Sequence, residues 1–439
     1  MTTKNHHHHH QDISLRMMAN VLHCFSGYIT SSIVIASNIC IVTASNLLFI
    51  FRERMPHIPA AERITYGDLM YYFPGLATPH FPDWEQGWVN PSHQKSQPNY
   101  EPGPGDTPCY IFNQRTKLLD GERQAAWLAK ALLQPGLPEP LAALAADPAL
   151  RDPTLTRRAE STTQHACMWD QLHGETERDR ANIVLLHSLL HICRTSRPDL
   201  IPDRVTAQDV RVSAAWHRAE TKLQVRGQFG HLLSSSKPLP VLAPPPVVEA
   251  TANSPLDDNF WPVLPTIDLQ KTFVFKMRSQ PSFAPGYPCP YAHTLFILNP
   301  WGPCYRKKLP QLRAQMLLFS FAHALARAHA TYGETPQDLK TPLVVQSIAS
   351  DGRIFLFGAF QLNTTDLAPC TGLKNFAWFD EPRPLFSSSK YLPVIKRKQL
   401  VVPSGLLGFE PDTFYTFLAF YLNGAHSRDV KHVNNALES

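Results

Sequence analysis

Hydrophobic side chains recur at helical spacing in several stretches of this 439-residue chain. Between Glu122 and Leu133, Ala125, Ala126, Leu128, Ala129, Leu132 and Leu133 share one face until Pro135 ends the run, which predicts a helix. Ala181 to Arg194 is apolar nearly all round and reads as a buried helix. Pro310 suits a first helical turn, and the pattern behind it predicts a helix to about Tyr332 with Gly333 just past its end. Arg313, Ser320, His323 and Arg327 fall along one stripe of that helix, while Met316, Leu317, Phe319, Phe321 and Leu325 fill the rest. Pro411 opens a last helix, Asp412 to Leu422, closed by Gly424.

Other stretches change to a period of two or to short β-rich runs. Cys109 to Asn113 reads as a strand, and Val210 to Gly227 as two strands with a short connection. Leu343 to Ala349 and Ile354 to Leu362 flank Ser350-Asp351-Gly352-Arg353, and an Asp-Gly between two such runs predicts a hairpin. Asn375 to Phe379 and Tyr391 to Ile395 can extend the sheet. The fold class these elements predict is α+β: mixed helices with a mainly antiparallel sheet, plus extended proline-rich arms.

The arms follow from composition, because 40 prolines against 20 glycines reverse the usual ranking. Proline fixes φ and donates no backbone hydrogen bond, so proline-dense stretches run extended over surfaces. They divide the chain into an atypical N-terminal segment (1–55), a proline and aromatic arm (56–108), a helix-rich region with a strand pair (109–237), a proline-rich extended region (238–310), an α+β core with hairpin and terminal helix (311–425) and a polar tail (426–439). In the first arm Tyr72, Phe81, Trp84 and Trp88 stand among prolines, where aromatics anchor an extended segment to a partner or to the chain's own core.

The N-terminal segment admits several readings. From Met17 to Phe51 there is no formally charged residue, and residues 33–51 are apolar at a length that could just span a bilayer, although Ser37, Asn38, Thr43, Ser45 and Asn46 dilute the run. A cleaved mitochondrial presequence fits the scarcity of acids, Asp12 apart, but not the single Arg16, and a third reading leaves part of the stretch out of the mature protein, either cleaved or wrongly assigned as coding. His6 to His10 are set aside as a tag-like tract.

Charge and chemistry narrow the function. The formal net charge of +5 permits nucleic-acid contact without requiring it. Arg306-Lys307-Lys308 and Lys396-Arg397-Lys398 are the candidate RNA contacts, since such clusters hold phosphate by charge and counterion release. The eight cysteines lack CxxC spacing, so they point to reduced thiols and not to a zinc module. His187 and His191 lie at i and i+4 with Cys193 nearby, yet no carboxylate stands at ligand spacing, and the pair is expected to be structural. No phosphate-cradling loop, nucleophile elbow or HExxH occurs, so no catalytic residue, cofactor or metal is assigned. Asn363-Thr364-Thr365 is a glycosylation sequon that matters only to a secreted chain.

Several stretches carry a resemblance: CYIFNQRTKLLDGERQAAWLAK from Cys109, AAWHRAETKLQVRG from Ala214, GYPCPYAHTLF from Gly286, VVQSIASDGRIFLFGAFQLNTTDL from Val344, KNFAWFD from Lys374 and YLPVIKRK from Tyr391. Together with FPDWEQGW in the arm, and in order from about Ile64 to Ala425, the chain resembles the family of mitochondrial large-subunit ribosomal protein thirty-seven, which includes a paralogue once called programmed cell death protein nine. The resemblance implies a non-enzymatic structural constituent of the mitochondrial large ribosomal subunit, located in the matrix. Its implied partners are large-subunit rRNA and neighbouring mitochondrial ribosomal proteins including the paralogue, with no small-molecule substrate. The rival expectation is a membrane-tethered, non-enzymatic interaction protein anchored by residues 33–51.

Overall fold

The strand read at Cys109 is the first described element of the computed structural model. The structure describes residues 100–425 apart from 174, 229, 258, 261–262, 275–277, 301–305, 391–393, 397–398 and 403–404. All of these belong to the second of two units, Val89–Ser439, into which the chain divides. In order, the first elements are β1 (Thr107–Phe112), α1 (Gly121–Leu128), β2 (Ala131–Pro135), α2 (Glu139–Ala146), α3 (Pro153–His173) and α4 (Glu175–Ser196). Next come β3 (Arg204–Gln208), β4 (Arg211–Arg218), β5 (Thr221–Gln228), β6 (His231–Ser235), α5 (Pro245–Ala250), β7 (Gln270–Val274) and β8 (Tyr291–Leu298). The last are α6 (Leu309–Tyr332), β9 (Asp338–Ser350), β10 (Ile354–Thr364), β11 (Asn375–Phe379), β12 (Arg383–Pro384), β13 (Ser388–Lys390), β14 (Val394–Lys396), β15 (Gln399–Val402), β16 (Gly405–Leu407) and α7 (Pro411–Leu422).

The larger sheet runs β2-β11-β10-β9-β8-β6-β3, with β12 added on β10. The hairpin expected around Asp351-Gly352 is its centre, Phe355 facing Ser350 and Leu362 facing Leu343 in antiparallel register. Only β2–β11 and β8–β9 pair in parallel. A smaller sheet runs β4-β5-β1-β7, again antiparallel except for β1–β5. Among the described residues β13–β16 and β14–β15 form two further antiparallel ribbons. The α+β, mainly antiparallel class therefore holds.

The period-two pattern of the central strands builds two cores. Leu343, Val345, Ala349, Leu356, Phe360 and Leu362 join α6 and the smaller sheet in one cluster. Val344, Ile348, Phe355, Phe357 and Ala359 point the other way, into a cluster with α4 and α7. Helix α6 contacts both sheets, so it needs no polar face, and its stretch from Ala314 to Ala326 is buried all round. Aromatic rings join the layers: Trp216 of β4 meets Phe321 of α6 edge-on at 4.8 Å, and Phe321 meets Phe360 of β10 at 5.7 Å. Each such pair adds ~0.5–1.5 kcal/mol beyond its buried area. Gly227 lets the β4–β5 hairpin come this close, because a Cβ there would stand 2.8 Å from the Phe319 ring.

Three sequence expectations need correction. Of Tyr391 to Ile395, expected to extend the sheet, Val394 and Ile395 lie in β14, which pairs with β15 in a ribbon of its own, and the first three residues lie outside the described ones. The helix expected over Glu122 to Leu133 stops at Leu128, and Leu132 and Leu133 belong to β2. Lys130 adopts φ 48, its carbonyl accepts from Asn375 N at 2.9 Å, and Asn375 Nδ2 donates to Ala129 O at 2.9 Å. Pairing with β11 thus outweighs a propensity difference of a few tenths of a kcal/mol per residue. The helix expected to be buried all round, Ala181 to Arg194, begins earlier at Glu175 and leaves Ile183 37% and Val184 42% exposed.

Buried amides and cations fasten the irregular segments. Gln361 Oε1 accepts from both Leu242 N and Ala243 N at 2.9 Å, holding the proline-rich segment before α5 on the sheet. Arg218, 0% exposed, donates to the carbonyls of Trp127, Leu367 and Pro369. Lys130 Nζ donates to Asp366 O at 2.7 Å and Lys374 Nζ to Gly372 O at 2.6 Å, so three basic side chains hold the loop 366–374. Burial pushes both lysine pKa values down.

Candidate nucleic-acid interface

The run Arg306-Lys307-Lys308 enters α6, and its three side chains have different fates. Lys308 is the helix N-cap and is exposed. Arg306 is 42% exposed and pairs with Asp351 at 3.0 Å, a surface ion pair worth ~0–1 kcal/mol. Lys307 turns inward: it is 8% exposed, its Nζ donates to Thr116 O at 2.9 Å, and the ammonium lies 6.0 Å from the Phe112 ring centroid. Burial, helped by Lys117, pulls its pKa down to about 8. Lys307 therefore ties α6 to the segment after β1 and does not face a ligand. A hollow of about 540 Å³ beside the run is lined by Arg306, Lys308, Asp351 and Pro382 among others.

The second run begins at the end of β14 with Lys396, paired across the ribbon with Gln399; Arg397 and Lys398 lie outside the described residues. So do the aromatic residues Tyr72, Phe81, Trp84 and Trp88, and the apolar segment 33–51. Among the described residues no helix is long and apolar enough to cross a membrane. Asn363 is 1% exposed and its Nδ2 donates to Lys374 O at 2.8 Å, so the sequon is closed in the folded chain.

Several groups capable of chemistry are occupied internally. His187 meets Gln208 at 3.1 Å and the His231 ring edge-on at 5.1 Å, while Cys193 is fully buried with its thiol pKa pushed up by desolvation. Among the described residues no three of His, Cys, Asp and Glu gather as a metal group. His293 bonds Thr294 and the Asn423 carbonyl, and His323 bonds Ser282. Burial lowers their pKa values to about 3 and about 4, so both rings are neutral at physiological pH.

One basic surface has no signal in a linear scan for charge runs. A cleft of about 940 Å³ is lined by Arg115 after β1, Arg211 and Arg226 on the β4–β5 hairpin, and Arg278. These arginines are scattered over 164 positions of sequence, and the pairing of Ser213 with Arg226 and with Gln280, together with the parallel pairing of β1 with β5, brings their segments together. The usable hint was the alternation in Arg211–Arg218 and Thr221–Gln228, where Val212, Ala214, Leu223 and Val225 are core and the intervening polar positions face elsewhere.

Comparison with known proteins decides what this fold belongs to. A family model described as mitochondrial 28S ribosomal protein S30 (PDCD9) matches residues 303–425, from just before α6 to just past α7. Relatives named large ribosomal subunit protein mL37 match far more of the chain. The one from Rattus norvegicus is 40% identical over 377 residues, covering 85% of this chain and 89% of the relative. That from Mus musculus is 41% identical over 376 residues, with the same two coverages. The chicken protein, from Gallus gallus, is 38% identical over 368 residues, covering 83% of this chain and 85% of its own length. The chain belongs to the mL37 family. The 28S designation of the family model rests on a shorter match, so the large-subunit relatives, matched over 85% of the chain, fix the assignment.

Proposed function

We infer that this mL37-family chain is a structural constituent of the large subunit of the mitochondrial ribosome and supports mitochondrial translation without catalysing a reaction. The observation that carries this reading is the ~40% identity to mL37 proteins over 85% of the chain. The interior supports it: His293, His323, Lys130, Arg218 and Lys374 hold loops and carbonyls together and do not converge on an open pocket. The membrane-tethered alternative is not favoured, since relatives this similar are named for a large ribosomal subunit.

The finer assignments are part of the same proposal. The protein sits in the mitochondrial matrix. Its rRNA contacts run through Arg306, Lys308 and the Lys396–Lys398 run, by charge and without reading sequence. The 56–108 arm packs Tyr72, Phe81, Trp84 and Trp88 on neighbouring ribosomal proteins, the paralogue once called programmed cell death protein nine among them. The test is complete removal of the protein from cells. Mature large subunits and mitochondrial protein synthesis should both decline, and normal translation in a complete knockout would overturn the reading.

A further inference from the structure

We propose that the cleft formed by Arg115, Arg211, Arg226 and Arg278 binds the phosphodiester backbone of an RNA strand. The proposal rests on the ribosomal reading and adds to it a site that neither basic run contains. The first observation is charge without compensation. All four arginines are exposed, no aspartate or glutamate lines the cleft, and among the described residues none of the four forms an ion pair. Elsewhere on this molecule arginines do find acids, as Arg123 does with Asp120 and Asp257, Arg151 with Asp412, and Arg383 with Asp380. Among the described residues the one side-chain bond made by a cleft arginine holds it in place: Arg211 Nε donates to Gln228 Oε1 at 2.6 Å.

Shape and lining select among anions. At about 940 Å³ the cleft has room for a run of backbone and not merely one small ion. A guanidinium presents a planar fork that matches two phosphate oxygens at once, and its weak hydration favours such contacts over those of an ammonium. Between the arginines stand the amides of Asn113, Gln114, Gln224 and Gln280, which can both donate to and accept from ribose hydroxyls. An acidic protein segment would be the competing polyanion. Stable protein interfaces centre on buried aromatic or aliphatic anchors, and this lining offers only Val212 and Pro281. RNA is therefore the better fit.

The cleft is also preorganised. Arg211 and Arg226 project from paired strands, and Gly227 beside them is pressed on Phe319 of α6. Gln280 N donates to Ser213 O at 2.7 Å, which fixes the segment carrying Arg278 against the hairpin edge. Little ordering is left to be done when a ligand arrives, so more of the interaction energy appears as affinity.

The experiment is a footprint on intact mitochondrial large subunits, with phenylglyoxal as the arginine reagent, before and after ribonuclease. The expected result is protection of Arg115, Arg211, Arg226 and Arg278 that ribonuclease abolishes. Arginines that react freely in the intact particle would overturn the proposal, and protection that survives ribonuclease would overturn it in favour of a protein partner. Absence of the chain from the particle would instead sink the ribosomal reading. In that event a salt titration of the full chain against an RNA oligonucleotide still tests the cleft. Replacing all four arginines with glutamine should flatten the slope of log K against log salt by roughly 2.8, at ~0.7 per phosphate contact on a single strand. That is about a 50-fold difference in salt sensitivity between 50 and 200 mM. An unchanged slope in a variant with wild-type circular dichroism and melting would refute the site.

Discussion

Replacing Arg218 with methionine separates a basic residue that builds the fold from one that meets a ligand. The guanidinium is 0% exposed, lies 4.8 Å over the Trp127 ring, and donates to Trp127 O at 3.0 Å, Leu367 O at 2.9 Å and Pro369 O at 3.0 Å. Methionine keeps the apolar stem and removes every donor. Bonds from a charged donor contribute ~1.5–3 kcal/mol each, and a buried acceptor left unpaired costs ~1–3 kcal/mol. Against this stands the relief of several kcal/mol of guanidinium desolvation, and water can reach part of the loop at the exposed Cys370. The net loss is about 2–4 kcal/mol, concentrated where the hairpin β4–β5 meets the loop 366–374.

A local probe reads that loss better than global melting. Ala219 N donates to Ala368 O at 2.9 Å across the same junction, so its amide reports whether the loop stays docked. Opening made easier by 2–4 kcal/mol accelerates hydrogen exchange at Ala219 by about 30- to 700-fold, at ~1.4 kcal/mol per factor of ten. The salt dependence of RNA binding should not change, because Arg218 reaches no solvent. A loss below about 1 kcal/mol with unaltered exchange at Ala219 would refute the reasoning, as would a flattened salt slope.

Two further outcomes follow from the same accounting of buried and exposed cations. His293 and His323 carry folded pKa values of about 3 and about 4 against 6.5 for the free ring, so between pH 6.5 and 4 the unfolded chain binds more protons and stability falls as pH falls. Each ring contributes a loss of ~2 kcal/mol by pH 5, at ~1.36 kcal/mol per unit. Urea midpoints measured across this window should show a shallower fall in H323N, and an identical fall would contradict the assignment. At the other basic site, K396E/R397E/K398E should weaken RNA association and reduce its salt slope by about one unit per lost phosphate contact, whereas an unaltered slope would assign the run to solvent.

The legible part of the fold is the part whose signals are local. Pro310 and Gly333 bracket α6 because a first-turn proline and a glycine at φ 90 each act within one turn of chain. Asp351-Gly352 fixes the central hairpin for the same reason: Asp351 Oδ1 accepts from Arg353 N and Ile354 N within the turn. Asn375–Phe379 and Pro411–Leu422 also stand close to where the pattern puts them. The misread end of α1 depended on Asn375, some 246 residues away, capping Ala129 O, and no local pattern carries that information. Burial of β8 in the middle of a sheet was hidden by the prolines before and after it, which made its surroundings read as extended arm.

The candidate site divides in the same way. Runs of three basic residues are visible in sequence, yet visibility did not distinguish Lys308, exposed at the helix cap, from Lys307, drawn in to Thr116 O. What separates them is the Asn299 side chain, which accepts from Lys307 N at 2.9 Å and turns the run inward at that residue. The arginine cleft was illegible because its charge is assembled by strand pairing and not by adjacency. Family resemblance in contrast was readable throughout, since it draws on every position at once and the 40% identity is spread over 377 residues.

The most direct test of the central claim is sedimentation of detergent-solubilised mitochondria on a sucrose gradient, following this protein and large-subunit rRNA with and without magnesium. The account predicts that the protein migrates with the large subunit after the two subunits separate. Migration as a small free species, or with a membrane complex that lacks rRNA, would contradict it.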